Sequence, residues 1–94
     1  MTIKTTPYEF AHHVETDEDM MEYLTIILEE NGVAGLTEAL SYLAKKKGMT
    51  QTAKEAGLNR QSLYRTLSDK GNPNFDTVDK IIRALGFKLT IQHI

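Results

Sequence analysis

Read for the spacing of its apolar positions, the chain divides into helix-length segments separated by glycine-bearing breaks. Thr16 or Asp17 is placed to cap a first helix, and Asp17-Glu18-Asp19 suit the positive end of its dipole. Met20, Tyr23, Leu24, Ile27 and Leu28 then recur at helical spacing until Asn31-Gly32, where the pattern predicts a stop. A second helix runs from about Leu36 to Lys47. It buries Leu36, Ala39, Leu40 and Leu43, carries Lys45-Lys46-Lys47 at its end and stops at Gly48. Thr50 is expected to cap a third helix, Gly57 to take the positive φ of a tight turn, and Asn59 to cap a fourth helix that carries Leu63 and Leu67 inward. A fifth starts at Asp76 or Thr77, with Phe75 ahead of it as a staple, Val78, Ile81, Ile82 and Leu85 as its stripe, and Gly86 as its close. Phe87 to Gln92 alternates apolar with polar and reads as a short strand with Phe87, Leu89 and Ile91 inward. At the other end Met1 to Thr6 is polar, and Thr6-Pro7 opens a short turn or helix through Tyr8, Phe10 and Val14.

The expected fold is therefore all-α, with five helices and a short C-terminal β-strand. A chain of 94 residues accommodates a single core, so residues 1–34, an acidic segment and helix, and residues 35–94 are expected to form one folded unit. The absence of cysteine rules out disulfide staples and thiolate metal sites and suits a reducing, cytoplasmic setting. No apolar stretch approaches the ~20 residues of a membrane span, and no secretory signal opens the chain. Net charge is −2, which by itself argues against a polyanionic partner. The charges are divided, however: residues 1–40 carry one cation against nine acids, or −8, and residues 41–94 carry ten cations against four acids, or +6. Such asymmetry predicts two surfaces with different partners.

Thr50 to Ser68 decides the reading. Two short helices flank a three-residue turn, Gly57-Leu58-Asn59, and Ala53 and Ala56 are small where helices must cross closely. This is the pattern of a helix-turn-helix, whose second helix enters the major groove of DNA. Arg60, Gln61, Tyr64 and Arg65 lie on one outward face near the start of that helix. Arginine matches guanine O6/N7 and glutamine matches adenine N6/N7, so these four are the candidate base-contacting residues. Tyr64 has a phosphate, a thymine methyl or simple cover of Leu67 as its options. Thr50, Gln51 and Lys54 begin the preceding helix, whose terminal amides suit a phosphate. With Asn59, and with Asn72 and Asn74 on the far side, they make the candidate phosphate contacts. Lys45 to Lys47 fit either a phosphate or the dipole of their own helix.

Other chemistries find little support. His12-His13 diverge on a helix and have no third ligand at suitable spacing, so no metal and no cofactor is expected. There is no phosphate-binding glycine loop, no serine nucleophile elbow and no pair of carboxylates beside a candidate acid, so the chain does not read as an enzyme.

Leu36 to Leu85 resembles the Xre/Cro-type and Fis-type DNA-binding domains, with Gly57-Leu58-Asn59-Arg60-Gln61-Ser62-Leu63-Tyr64-Arg65-Thr66-Leu67 close to their turn and recognition helix. A wider frame covers essentially the whole chain. It comprises Thr6-Pro7-Tyr8, the acidic stretch into Tyr23-Leu24, Ala39-Leu40, Lys47-Gly48-Met49-Thr50-Gln51, Gly71-Asn72-Pro73-Asn74-Phe75-Asp76-Thr77 and Ala84-Leu85-Gly86-Phe87-Lys88-Leu89. Together these look like the addiction-module antidote proteins, the HigA-like antitoxins of type II toxin-antitoxin pairs. The resemblance implies a dimeric antitoxin that sequesters a small toxin, usually an mRNA-cleaving endonuclease, and represses its own operon. Two departures stand out: Lys45-Lys46-Lys47 replaces an Ala/Arg mixture, and Thr52 stands where an apolar residue is commoner, though its hydroxyl is able to bond back into its own helix.

The expected partners are thus double-stranded operator DNA, a second copy of the chain and a small basic toxin facing Asp17, Glu18, Asp19 and Glu22. Pairing of the C-terminal strand with its copy would satisfy its edge and bury its apolar face; folding back on Tyr8 to Val14 is the alternative. Two other readings stay open: a stand-alone prophage-type repressor without a toxin, and a protein-interaction module that has lost DNA binding.

Overall fold

In the computed structural model, which describes residues 16–68 and 73–94, every regular element is a helix. The first, α1, spans Asp17–Lys47. Thr16 caps it, its Oγ1 accepting the Asp19 N–H at 3.1 Å, with three acids in the first turn and three lysines in the last. The stop expected at Asn31-Gly32 is present as a kink and not as an end. Gly32 alone leaves helical geometry, at φ 73 and ψ −165, a region open essentially only to glycine. The two predicted helices are thereby one bent element, and the described residues hold four helices where five were expected. The bend turns both halves onto one core: Met20, Tyr23, Leu24 and Ile27 before it, Leu36, Ala39, Leu40 and Ala44 after it.

Gly48, at φ 115, ends α1 with its N–H on the Ala44 carbonyl and at once begins α2, Met49–Ala56. Thr50 is therefore not the cap. The reversal at Gly48 drives Met49 into the core as the first helical residue, leaving Thr50 exposed one position inside the helix. Thr52, the unexpected polar residue, is fully buried, and its hydroxyl donates to the Gly48 carbonyl at 2.8 Å, so burial leaves that donor satisfied.

Gly57, left-handed at φ 71 and ψ 30, closes α2 and lets the Leu58 N–H return to the Ala53 carbonyl at 2.9 Å. Asn59 then caps α3, Arg60–Ser68, its Oδ1 accepting the Ser62 N–H at 2.7 Å. The last helix, α4, spans Phe75–Ala84 and is capped by Asn74, whose Oδ1 accepts the Thr77 N–H at 3.2 Å. That cap starts the helix earlier than expected. Phe75 becomes its first residue, and at 72% exposed it does not act as a staple.

Leu40, Leu63 and Ile81 lie at the centre with no solvent exposure, and Ala39, Ala44 and Ala53 let the helices approach around them. Residues 87–94 form no strand. The Phe87 N–H is spent on the Ile82 carbonyl behind α4, and among the described residues no second strand offers a ladder. Phe87 and Leu89 nevertheless pack partly buried against the core, as the alternation predicted, whereas Ile91 is fully exposed and not inward. The alternative docking of this segment on Tyr8 to Val14 lies outside the described residues. No helix among those described is long and apolar enough to cross a membrane.

Candidate nucleic-acid interface

Burial orients α3. Leu63 and Leu67 face the core, while Arg60, Gln61, Tyr64 and Arg65 all stand exposed on the opposite side. The Gly57 turn and the Asn59 cap set where this helix starts and which way its outward face points. Within that face Arg60 and Tyr64 are paired: the Arg60 Nη2 donates to the Tyr64 hydroxyl at 3.2 Å, and the guanidinium carbon lies 5.5 Å from the ring centroid. Gln61 and Arg65 sit beside them, one turn apart.

On α2, Thr50, Gln51 and Lys54 are exposed, as a phosphate contact would require. Gln51 is already engaged, its Nε2 donating to Glu55 Oε2 at 3.1 Å. The same oxygen holds Lys47 Nζ at 2.9 Å, and Lys47 also donates to the Ala84 carbonyl oxygen at 2.6 Å. Hydrogen bonds from Lys47 and then Gln51 hold the Glu55 carboxyl below its ordinary pKa of 4.5. Lys47 is thereby a tie between three helices, and all three members of the lysine run are exposed. Asn59 and Asn74 are exposed N-caps. Asn72 lies outside the described residues, as do His12 and His13.

Asp17, Glu18, Asp19 and Glu22 are exposed on the opening turns of α1, the far end of that helix from its lysines. Part of the charge division of the sequence therefore runs along one bent helix, acidic in its first turn and basic in its last. Four features escaped sequence reasoning. The Arg60–Tyr64 and Gln51–Glu55 pairs are both i, i+4 and were there to be found; the Lys47–Ala84 bond joins residues far apart in sequence and had no local signal. Nor was there a signal for the groove of about 320 Å³ between the first half of α1 and the C-terminal segment, floored by Leu24, Leu28, Leu36, Ile82 and Phe87.

Comparison with known proteins bears on these surfaces. No solved structure matches the chain significantly. A protein of Haemophilus influenzae (strain ATCC 51907 / DSM 11121 / KW20 / Rd), described as an uncharacterized protein, is 36% identical over 92 residues, covering 98% of this chain and 95% of its own length. A family model described as "Probable addiction module antidote protein" matches residues 4–93. An antidote role implies a toxin as partner, and the chain belongs to this family of addiction module antidote proteins.

Proposed function

We propose that the chain is a HigA-like antitoxin of the Xre/Cro type: a non-enzymatic, cytoplasmic protein that neutralises a small toxin and, as a homodimer, represses its own operon. The observation that carries DNA binding is the outward face of α3, where Arg60, Gln61, Tyr64 and Arg65 stand clear of the core on a helix whose start is set by Gly57 and Asn59. In this reading the α3 helices of two subunits enter successive major grooves about 34–36 Å apart and read base edges. Thr50, Gln51 and Lys54 at the start of α2 hold phosphates, with Asn59, Asn72 and Asn74 adding to them. Two copies supply affinity that one small module lacks.

The toxin is a basic protein, in keeping with an RNA-cleaving nuclease, and it meets the acidic start of α1 at Asp17, Glu18, Asp19 and Glu22. Co-expression with the product of the neighbouring reading frame, followed by titration of the DNA upstream of the pair, tests the proposal. A copurifying complex and a salt-sensitive shift of that DNA by the antitoxin are expected. A shift without a copurifying partner would instead support a stand-alone repressor, and a partner without a shift an interaction module.

A further inference from the structure

The pairing of Arg60 with Tyr64 bears on which side chains of α3 read a base and which do not. A side chain on a helix leans toward the N-terminus, over the turn before it. Tyr64 follows Arg60 by one turn, which brings its ring to the Arg60 guanidinium. There it makes two contacts with one guanidinium: the hydroxyl accepts from Nη2 at 3.2 Å, and the ring lies 5.5 Å from the guanidinium carbon. Both residues are exposed, Tyr64 at 42%, and neither belongs to the core.

An exposed arginine is rich in rotamers, and ordering it on binding opposes recognition. An aromatic platform with a hydroxyl acceptor limits that freedom before DNA arrives. Only one of the several guanidinium N–H groups is used at Tyr64, so others remain to donate. Gln61 and Arg65, the neighbouring pair, have no comparable aromatic support on α3.

We propose that Tyr64 is a positioning residue: it holds Arg60 ready to donate to the O6 and N7 of one guanine, and contributes to sequence preference through Arg60 and not by touching DNA itself. The inference rests on the reading of α3 as a recognition helix.

The test begins with selection of a randomised duplex library by the full chain, then compares binding of the selected duplex with copies in which each guanine is changed in turn. In the wild type, one guanine should be preferred on the order of ten- to a hundredfold, the range of a good bidentate contact. Arg60→Ala should level that position alone. Tyr64→Ala should reduce the preference severalfold at the same position, Tyr64→Phe should restore part of it by keeping the ring face, and Tyr64→Ala added to Arg60→Ala should change nothing further there. Loss at a different position, equal loss on every duplex, or a loss additive with Arg60→Ala would overturn the inference while leaving α3 as the reading helix. Failure of the wild type to select any sequence would remove the recognition-helix reading, and the inference with it. Both side chains being exposed, the thermal unfolding of the variants should match the wild type.

Discussion

Lys47 Nζ donates to the carbonyl oxygen of Ala84 at 2.6 Å, tying the last turn of α1 to the last turn of α4. The carbonyls that end a helix have no partner within it, and a lysine supplies both a donor and a charge of the right sign for the dipole. Glu55 Oε2, 2.9 Å away, holds the same ammonium and reaches on to Gln51 at the start of α2.

Lys47→Met keeps the aliphatic stem and removes both contacts. With the lysine and Glu55 side chains partly exposed, solvent screening makes the ion pair the lesser part of the loss. The hydrogen bond to Ala84 is worth about 1 kcal/mol, which for a domain of this size lowers Tm by roughly 4–8 °C. Glu55→Gln should lower it less. Thermal unfolding followed by circular dichroism is the measurement, and an unchanged Tm in Lys47→Met would show that the tie carries no stability.

Gly32 and Gly57 separate two backbone effects. A Cβ at either position meets nothing within 4 Å, so substitution tests conformation alone. Gly57 is in the left-handed region that other residues enter at about 1–2 kcal/mol, whereas Gly32, at φ 73 and ψ −165, is in a region costing ~1–3 kcal/mol and reached essentially by glycine alone. Gly32→Ala should therefore destabilise more than Gly57→Ala in denaturant titration. The reverse order would mean that the kink in α1 relaxes without penalty.

These glycines also mark how much was legible beforehand. Gly57 was readable because turn, cap and apolar seam agreed within a dozen residues, and the same local agreement located Asn59 and the outward face of α3. Gly32 was readable as a break, but whether two helices part or merely bend depends on how both halves pack into the one core, which is tertiary information. Thr50 and Phe75 were misplaced by one or two positions because each helix took the residue before it as cap, Gly48 and Asn74. The strand at Phe87 to Gln92 was read from alternation alone. Phe87 and Leu89 do pack inward, but a strand also needs a neighbour, and alternation does not say whether one exists.

Tyr23 carries a pH dependence. Burial first, and the nearby negative charge of Glu38 second, push its phenol above the ordinary 10.0. A folded-state pKa raised above the unfolded one gives stability that is complete below pH 10 and is lost as pH rises through the folded value. Alkaline unfolding should therefore steepen above pH 10, and Tyr23→Phe should flatten that limb of the stability profile. An identical alkaline limb in the variant would assign the loss to other groups.

Reversal of Asp17, Glu18, Asp19 and Glu22 to lysine tests the proposal that these acids face the toxin. Opposite charges speed association most at low salt, so the wild type should associate with its copurified toxin faster as salt falls, and the variant should lose that dependence. Asp17, Glu18 and Asp19 also favour the α1 dipole, so the variant should be somewhat less stable in circular dichroism. Salt dependence that survives the reversal would place the toxin elsewhere on the antitoxin.

The central claim is that α3 reads sequence while the start of α2 holds the backbone, and the most direct test compares Gln61→Ala, Arg65→Ala and Lys54→Ala on a selected duplex and on random duplex across a range of salt. Gln61→Ala and Arg65→Ala should each lose ~1–3 kcal/mol of discrimination at one base pair. Lys54→Ala should weaken both duplexes alike and reduce the salt slope by about one. Equal losses on selected and random DNA for all three substitutions, with the same change in salt slope, would contradict the division of labour between the two helices.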